Sequence, residues 1–259
     1  MTVVAPIVPS MTWYDTLAVF DLETTGVDTE NDRIVSAHVG VIDASGDVIE
    51  QYDWLADPGI EIPAGAAAVH GISTERAREE GRPAGQVVVE ILDVLADVLD
   101  RGLPVTIYNA PYDLTLLNRE ARRHGVLPLD GPAPIVDPLI IDKTFDRYRR
   151  GKRTLTATAL HYGVELLAAH DAGADAVAAG RIAQALGRTF ADQLAIEPHE
   201  LHERQVRWAY ASSRGFEDYM RREKDPAFTT RHTWPEHPRL DLEIELAPGV
   251  ELDIQVEVA

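Results

Sequence analysis

The chain has 259 residues, 45% of them hydrophobic, and no cysteine. This composition is enough for a sizeable core, and it excludes disulfides, thiolate catalysis and any cysteine-held zinc. No apolar run approaches the roughly 18 residues a membrane span needs, and no Lys or Arg precedes Arg33. Neither a span nor a secretory signal is expected, which leaves the cytoplasm as the expected location. The net charge of −19 is unevenly spread: residues 241–259 carry six acids and no base, whereas residues 143–153 carry six bases against Asp146 alone. Such a basic stretch is either a solvated face or a track for phosphates.

Residues 1–14, with Pro6 and Pro9, read as a loose lead-in. Residues 17–20 read as a buried strand that runs into Asp21, Leu22 and Glu23. Strand side chains alternate, so Asp21 and Glu23 share a face. At about 4 Å and an effective dielectric of about 20, two carboxylates repel by roughly 4 kcal/mol, and the pair therefore needs a cation, protons or open water. Thr24-Thr25-Gly26 then turns the chain. Residues 33–42 and 48–55 supply two further strands around a turn at 44–47, making an antiparallel meander. Residues 57–65 are expected as a loop leading to Val69-His70-Gly71-Ile72, with a short helix from Ser73; His70 alone reads as a packed or capping histidine.

Val87, Ile91, Val94, Leu95 and Val98 recur at helical spacing within residues 83–99. Residues 104–108 read as a strand, and Pro111 opens a helix whose Leu114, Leu117 and Ala121 face inward. Asp113 falls in its first turn, where the helix dipole favours negative charge. Residues 135–141 read as another strand and 155–162 as a short helix. An N-cap at Asp171 would begin an alanine-rich helix running to about Leu186, with Asp175 in its opening turn and His170 ahead of it. On one continuous helix His170 and Asp175 would point about 140° apart, so the cap is what lets them converge. Residues 191–224 suggest one or two packed helices through Leu194, Leu201, Val206, Trp208, Ala209, Phe216 and Met220, and Trp234 caps an apolar patch. Residues 240–259 alternate around Pro248-Gly249 as a hairpin with one apolar and one acidic face, which must dock on a partner surface.

Antiparallel strands followed by alternating helices and strands imply an α/β mixed sheet flanked by helices. Asp21, Glu23, Asp113 and Asp175, with His170 nearby, form an all-oxygen donor set that favours Mg2+ or Mn2+. Two such ions can stabilise the attacking and leaving oxygens of a phosphoryl transfer. A histidine beside them can take the proton of the attacking water. The expected chemistry is phosphodiester hydrolysis.

Phe20-Asp-Leu-Glu-Thr-Thr-Gly26, Asn109-Ala-Pro-Tyr-Asp113 and His170-x4-Asp175 resemble, in order and spacing, the three motifs of the DEDDh, or DnaQ-like, 3'-5' exonucleases of the ribonuclease H-like fold. The resemblance covers residues 15–188, about two thirds of the chain. It implies a ribonuclease H-like mixed sheet with three antiparallel strands and then parallel ones. A helical extension at 189–239 and the hairpin at 240–259 follow. The sister branch places a tyrosine where this chain has Asp171. The resemblance makes Asp21, Glu23, Asp113 and Asp175 ligands of two divalent cations, with Asp21 bridging, and His170 the general base. It also makes His70 a contact to the terminal nucleotide and sets Thr24, Thr25 and Gly26 beside the 3'-terminal sugar, with Asn109 steadying either the site or the penultimate nucleotide. Many relatives carry a glutamate five residues before the His70 position, where this chain has Gly65. Arg149, Arg150 and Lys152 would hold the incoming strand's phosphates.

The expected partner is the 3' end of single-stranded DNA, with RNA trimming as the alternative activity. A silent end-binding module is the reading from another class. Gln193-Leu-Ala-Ile196 resembles a clamp-binding peptide, which adds a polymerase or clamp as a further partner.

Overall fold

The computed structural model describes residues 12–166 and 171–238. His170, residues 1–11 and the hairpin expected at 240–259 lie outside the described residues. The chain opens with strands β1 (Leu17–Thr24), β2 (Ile34–Ile42) and β3 (Val48–Asp57), followed by helices α1 (Ala64–His70) and α2 (Thr74–Glu80). A short strand β4 (Arg82–Pro83) leads into α3 (Ala84–Asp100), then β5 (Val105–Thr106), α4 (Ala110–Arg123), β6 (Ile135–Val136) and α5 (Pro138–Phe145). Helices α6 (Leu155–His161), α7 (Ala172–Thr189), α8 (Ala191–Leu194) and α9 (Pro198–Glu223) complete the order.

The sheet order is β4-β3-β2-β1-β5-β6. β1, β2 and β3 pair antiparallel as the meander predicts, and β5 and β6 add parallel strands beside β1. β1 lies inside the sheet, and its alternation divides the core. Ala18, Phe20 and Leu22 pack with α3 and α4 on one face, and Leu17 and Val19 pack with α7 on the other. Asp21 and Glu23 continue the α7 side of that alternation.

α7 lies unusually close to the sheet. Gly173, Gly180 and Gly187 are seven residues apart, or about two helical turns, and so share one face. A Cβ on Gly180 would stand 2.5 Å from a Val19 methyl, and one on Gly187 would stand 2.4 Å from the Tyr14 ring. These glycines set how deep the helix sits.

Several boundaries differ from the sequence expectation. The strand expected over 135–141 stops at Val136, because Asp137 caps α5 by accepting from the Leu139 N–H and Pro138 opens it. The loop expected over 57–65 spans 58–63, and from Ala64 the chain forms helix α1, ended by Gly71 at φ 75°. Residues 12–14 are packed rather than loose: Trp13 is buried, and its Nε1 donates to the Leu194 carbonyl at 2.7 Å. Leu194 is itself fully buried, so Gln193-Leu-Ala-Ile196 is not displayed as a clamp-binding peptide. The buried face of α9 runs Leu201, Gln205, Ala209 and Glu217, while Val206 and Phe216 are exposed. Trp234 is buried as expected, and it donates to Asp137. Among the described residues, no helix is long and apolar enough to cross a membrane.

Candidate active site

The carboxylates named by the sequence converge from three elements. Asp21 and Glu23 stand at the C-terminal end of β1. Asp175 comes from the first turn of α7, where Asp171 caps the helix by accepting from the Ala174 N–H at 3.0 Å. One oxygen from each of Asp21, Glu23 and Asp175 lies within 4.8 Å of the others. Asp113 arrives in the first turn of α4 from the opposite face of the sheet, is buried, and accepts from the Leu22 N–H at 3.2 Å. Asp21, Glu23 and Asp175 thus meet at the C-terminal end of β1, and Asp113, outside that group of three, is tied to the same strand through Leu22.

Their protonation reflects the crowding. Burial first, then the charges of Asp113, Asp175 and Glu23, push Asp21 well above the usual carboxylate range. Burial likewise raises Asp113 well above that range, and its N–H partners oppose the shift. Glu23 is pushed up to about 7 by burial and by the neighbouring Asp175 and Asp171. A cluster of oxygen donors that resists ionisation on its own fits a site for hard divalent cations, which would supply the missing positive charge.

Beside the acids lies a cleft of about 430 Å³ whose wall includes Glu23, His70, Arg76 and Asp171. His70 closes α1: its Nδ1 accepts from the Ile72 N–H at 3.2 Å, and burial, opposed by the backbone of Thr24, lowers its pKa. It is therefore both a capping histidine and a wall of the cleft. Gly65 has open space around it.

Thr24 and Thr25 are buried, and their hydroxyls build the turn. Thr24 Oγ1 donates to the Gly26 carbonyl at 2.7 Å, and Thr25 Oγ1 donates to Asp32 at 2.8 Å. Gly26 leaves room for Asp32, since a Cβ would stand 2.5 Å from Asp32 Oδ2 and displace that carboxylate. Tyr112 locks the turn to α4, its hydroxyl lying 2.5 Å from Thr24 Oγ1 and donating to the Gly26 carbonyl at 2.6 Å.

Asn109 is exposed, and it alone among the described non-glycine residues has positive φ, at 66°. That left-handed step directs the N–H groups of Asn109 and Ala110 to the carboxylate of Asp137, at 3.0 and 3.1 Å. Asp137 is fully buried and also accepts from the Leu139 N–H and Trp234 Nε1, so it joins the starts of α4 and α5 to the segment after α9. Sequence reasoning overlooked both Tyr112 and Asp137. Tyr112 lay inside a quoted motif, and the Asp137-Pro138 pair is an ordinary helix-start signal.

The basic stretch divides in two. Arg149 turns inward: its Nε and NH2 donate to the two oxygens of buried Asp142 at 2.7 and 2.9 Å, and Arg153 adds a second guanidinium to the same carboxylate. Arg149 is therefore not placed to meet a phosphate. Arg150 and Lys152 are exposed, as are Arg147 and Tyr148, so the loop has an inward clasp and an outward basic and aromatic side.

A model of the RNase T family, described as exonuclease, matches residues 18–183. The PolC-type DNA polymerase III of Streptococcus agalactiae serotype III is 31% identical over 169 residues, and that of Streptococcus thermophilus is 28% identical over the same length. The match takes in 64% of this chain but only 11% of either polymerase. Among solved structures, Escherichia coli exonuclease I in complex with a dA16 oligonucleotide is similar with a TM-score of 0.59 at 20% identity, over 69% of this chain and 42% of that one. The nuclease domain of 3'hExo, a DEDDh family member bound to rAMP, is similar with a TM-score of 0.56 at 16% identity, over 71% of this chain and 95% of that one. At these identities the structural likeness speaks for the fold.

Proposed function

This chain belongs to the exonucleases of the DEDDh, DnaQ-like type on a ribonuclease H-like fold, and from that premise we propose that it removes nucleotides from the 3' end of single-stranded nucleic acid, DNA in preference to RNA, releasing nucleoside 5'-monophosphates. The observation that carries this reading is the meeting of Asp21, Glu23 and Asp175 within 4.8 Å, with Asp113 held against the backbone of the same strand.

Asp21, Glu23, Asp113 and Asp175 would hold two divalent cations, Mg2+ or Mn2+. When bound, these ions supply Lewis-acid stabilisation of the attacking and leaving oxygens. The chain's own groups do the remaining work. His170, next in sequence to the Asp171 cap, takes the proton of the attacking water, a task suited to an imidazole with an ordinary pKa of about 6.5. His70 and Glu23, which share the 430 Å³ cleft, border the terminal nucleotide. Thr24, Thr25 and Gly26 present a rigid turn to its sugar, and Asn109 contacts the next nucleotide inward. Arg150 and Lys152 meet phosphates, while Arg149 holds their loop in shape through Asp142.

The preference for DNA is supported by the DNA polymerases to which the chain is similar and by the dA16 oligonucleotide bound to E. coli exonuclease I. A link to a DNA polymerase is proposed on the same likeness. The test is a product ladder from 3'-labelled and 5'-labelled single strands of DNA and of RNA, run with Mg2+, Mn2+ or chelator and repeated with Asp21→Ala. Stepwise loss from the 3' end that needs a metal and Asp21 is expected. Internal cuts, or turnover that survives both chelator and Asp21→Ala, would overturn the proposal.

A further inference from the structure

A second cleft, of about 250 Å³, opens between α5, α9 and residues 230–237. Its wall includes Asn109, the residue that caps the start of α4, four positions ahead of Asp113. Most of the rest of the wall, from Ser212 onward, lies past residue 183, beyond the segment matched by the family model.

The chemistry of this cleft runs against the charge of the molecule. The chain as a whole carries −19, yet the wall offers Lys143 and Arg231 together with the hydroxyls of Ser212 and Thr230, that of Thr233 being bonded to His237 Nδ1 at 2.8 Å. The carboxylate in the lining, Asp137, is fully buried, and N–H donors occupy both of its oxygens. Arg231 leans on Glu30 at 3.5 Å, and Lys143 makes no ion pair among the described residues. His237, also in the wall, is pushed by burial to about 4 and so adds no charge near neutral pH. His232 is held between Ser213 and Glu217. What remains for a ligand is Lys143, which has no ion pair among the described residues, and Arg231, which is shared with Glu30, among hydroxyl groups, a donor set suited to phosphodiester oxygens.

We propose that this cleft is a subsite for the phosphodiester backbone of the strand upstream of the scissile nucleotide, with Lys143 and Arg231 as its charged contacts. The inference rests on the exonuclease reading and extends it to the helical extension, which thereby takes part in substrate binding. A strand that reaches past Asn109 gains these contacts, and a single nucleotide does not.

The experiment compares two probes on the full chain: the p-nitrophenyl ester of thymidine 5'-monophosphate, which can occupy only the acid cluster, and oligothymidylates of increasing length. The variants are Lys143→Ala and Ser212→Asp, the second bringing a carboxylate to the wall. For the wild type, kcat/KM rises with length. Both variants are expected to keep the ester rate within about twofold, to lose about tenfold in kcat/KM on the longer oligomers, and to keep the wild-type Tm. Lys143→Ala should also reduce the slope of log affinity against log salt by about 0.7. Equal losses on ester and oligomer, or length dependence unchanged in both variants, overturn the subsite while leaving the exonuclease reading intact. A wild type inert on both probes removes that reading and the subsite with it.

Discussion

Replacing Glu23 with glutamine should stabilise the metal-free protein while abolishing its turnover. Glu23 is raised from the usual 4.5 to about 7 by burial and by its acidic neighbours. Because the folded-state pKa lies above the unfolded one, the unfolded chain ionises first as pH rises through this window, and the folded state loses stability across it. The full gap corresponds to about 3 kcal/mol above pH 7. Glu23 keeps partial contact with water, which screens part of that, leaving about 1.5–3 kcal/mol. Glutamine has no charge to bury. In chelator at pH 8, Glu23→Gln should therefore melt about 3–12 °C above the wild type, given about 2–4 °C per kcal/mol for a chain of this size. At pH 4.5 and below, the two should melt together. Saturating Mg2+ should reverse the order at pH 8 by stabilising the wild type, by about 4 kcal/mol at about 1,000 times its Kd. Differential scanning calorimetry across pH, with and without Mg2+, reads all of this. A gain equal at both pH values, or a loss at pH 8, would refute the view that these acids form a strained, cation-seeking cluster.

The loop of residues 146–154 separates two roles. Asp142→Ala leaves the buried Arg149 and the partly buried Arg153 without their carboxylate and should cost about 3–5 kcal/mol in denaturant unfolding. The double change Arg150→Ala with Lys152→Ala should leave that stability unchanged, raise the KM for oligonucleotides severalfold and flatten its salt dependence; an unaltered salt slope would take these side chains off the phosphate path. Gly180→Val drives a branched side chain into Val19 and Ile42. It should cost about 1–3 kcal/mol by overpacking and lower kcat more than it changes KM, because α7 carries Asp175 outward with it. A variant with wild-type kcat would show that the depth of the helix is not what sets the site.

Much of the site was legible because its parts follow local rules. The alternation of β1 placed Asp21 and Glu23 on one face, and Asp171 capped α7 where the turn to Asp175 required it. What escaped notice depended on partners distant in sequence. Gln205 and Glu217 break the apolar stripe of α9, yet both are buried. Gln205 serves the N–H of Asp137 and the carbonyl of Ile135, and Glu217 takes the N–H of Thr230. Hydrophobic periodicity cannot register a polar side chain whose burial is satisfied from another segment. The run from Ile135 to Ile141 misled for the opposite reason: its apolar residues fit a buried strand, while Asp137-Pro138 within it carried the helix start.

The same distinction explains how widely separated acids come within a few ångströms. Coulomb repulsion pushes such a cluster apart, so packing must hold it, and the two faces of β1 do so differently. On one face, α4 is fixed by its first turn: Asp113 accepts from Leu22, Tyr112 holds the 24–26 turn, and Asp137 gathers the N–H groups of Asn109 and Ala110. On the other face Gln184 and Arg181 tie α7 to the carbonyls of Tyr14, Asp43 and Gly46, and Gly180, Gly173 and Gly187 let the helix settle against Val19 and Ile42, His38 and Tyr14 respectively. The depth of a helix is thus written in what three positions lack. Glycine within a helix costs about 1 kcal/mol relative to alanine, and a chain that accepts this cost three times along one face gains the approach that brings Asp175 to the acids of β1.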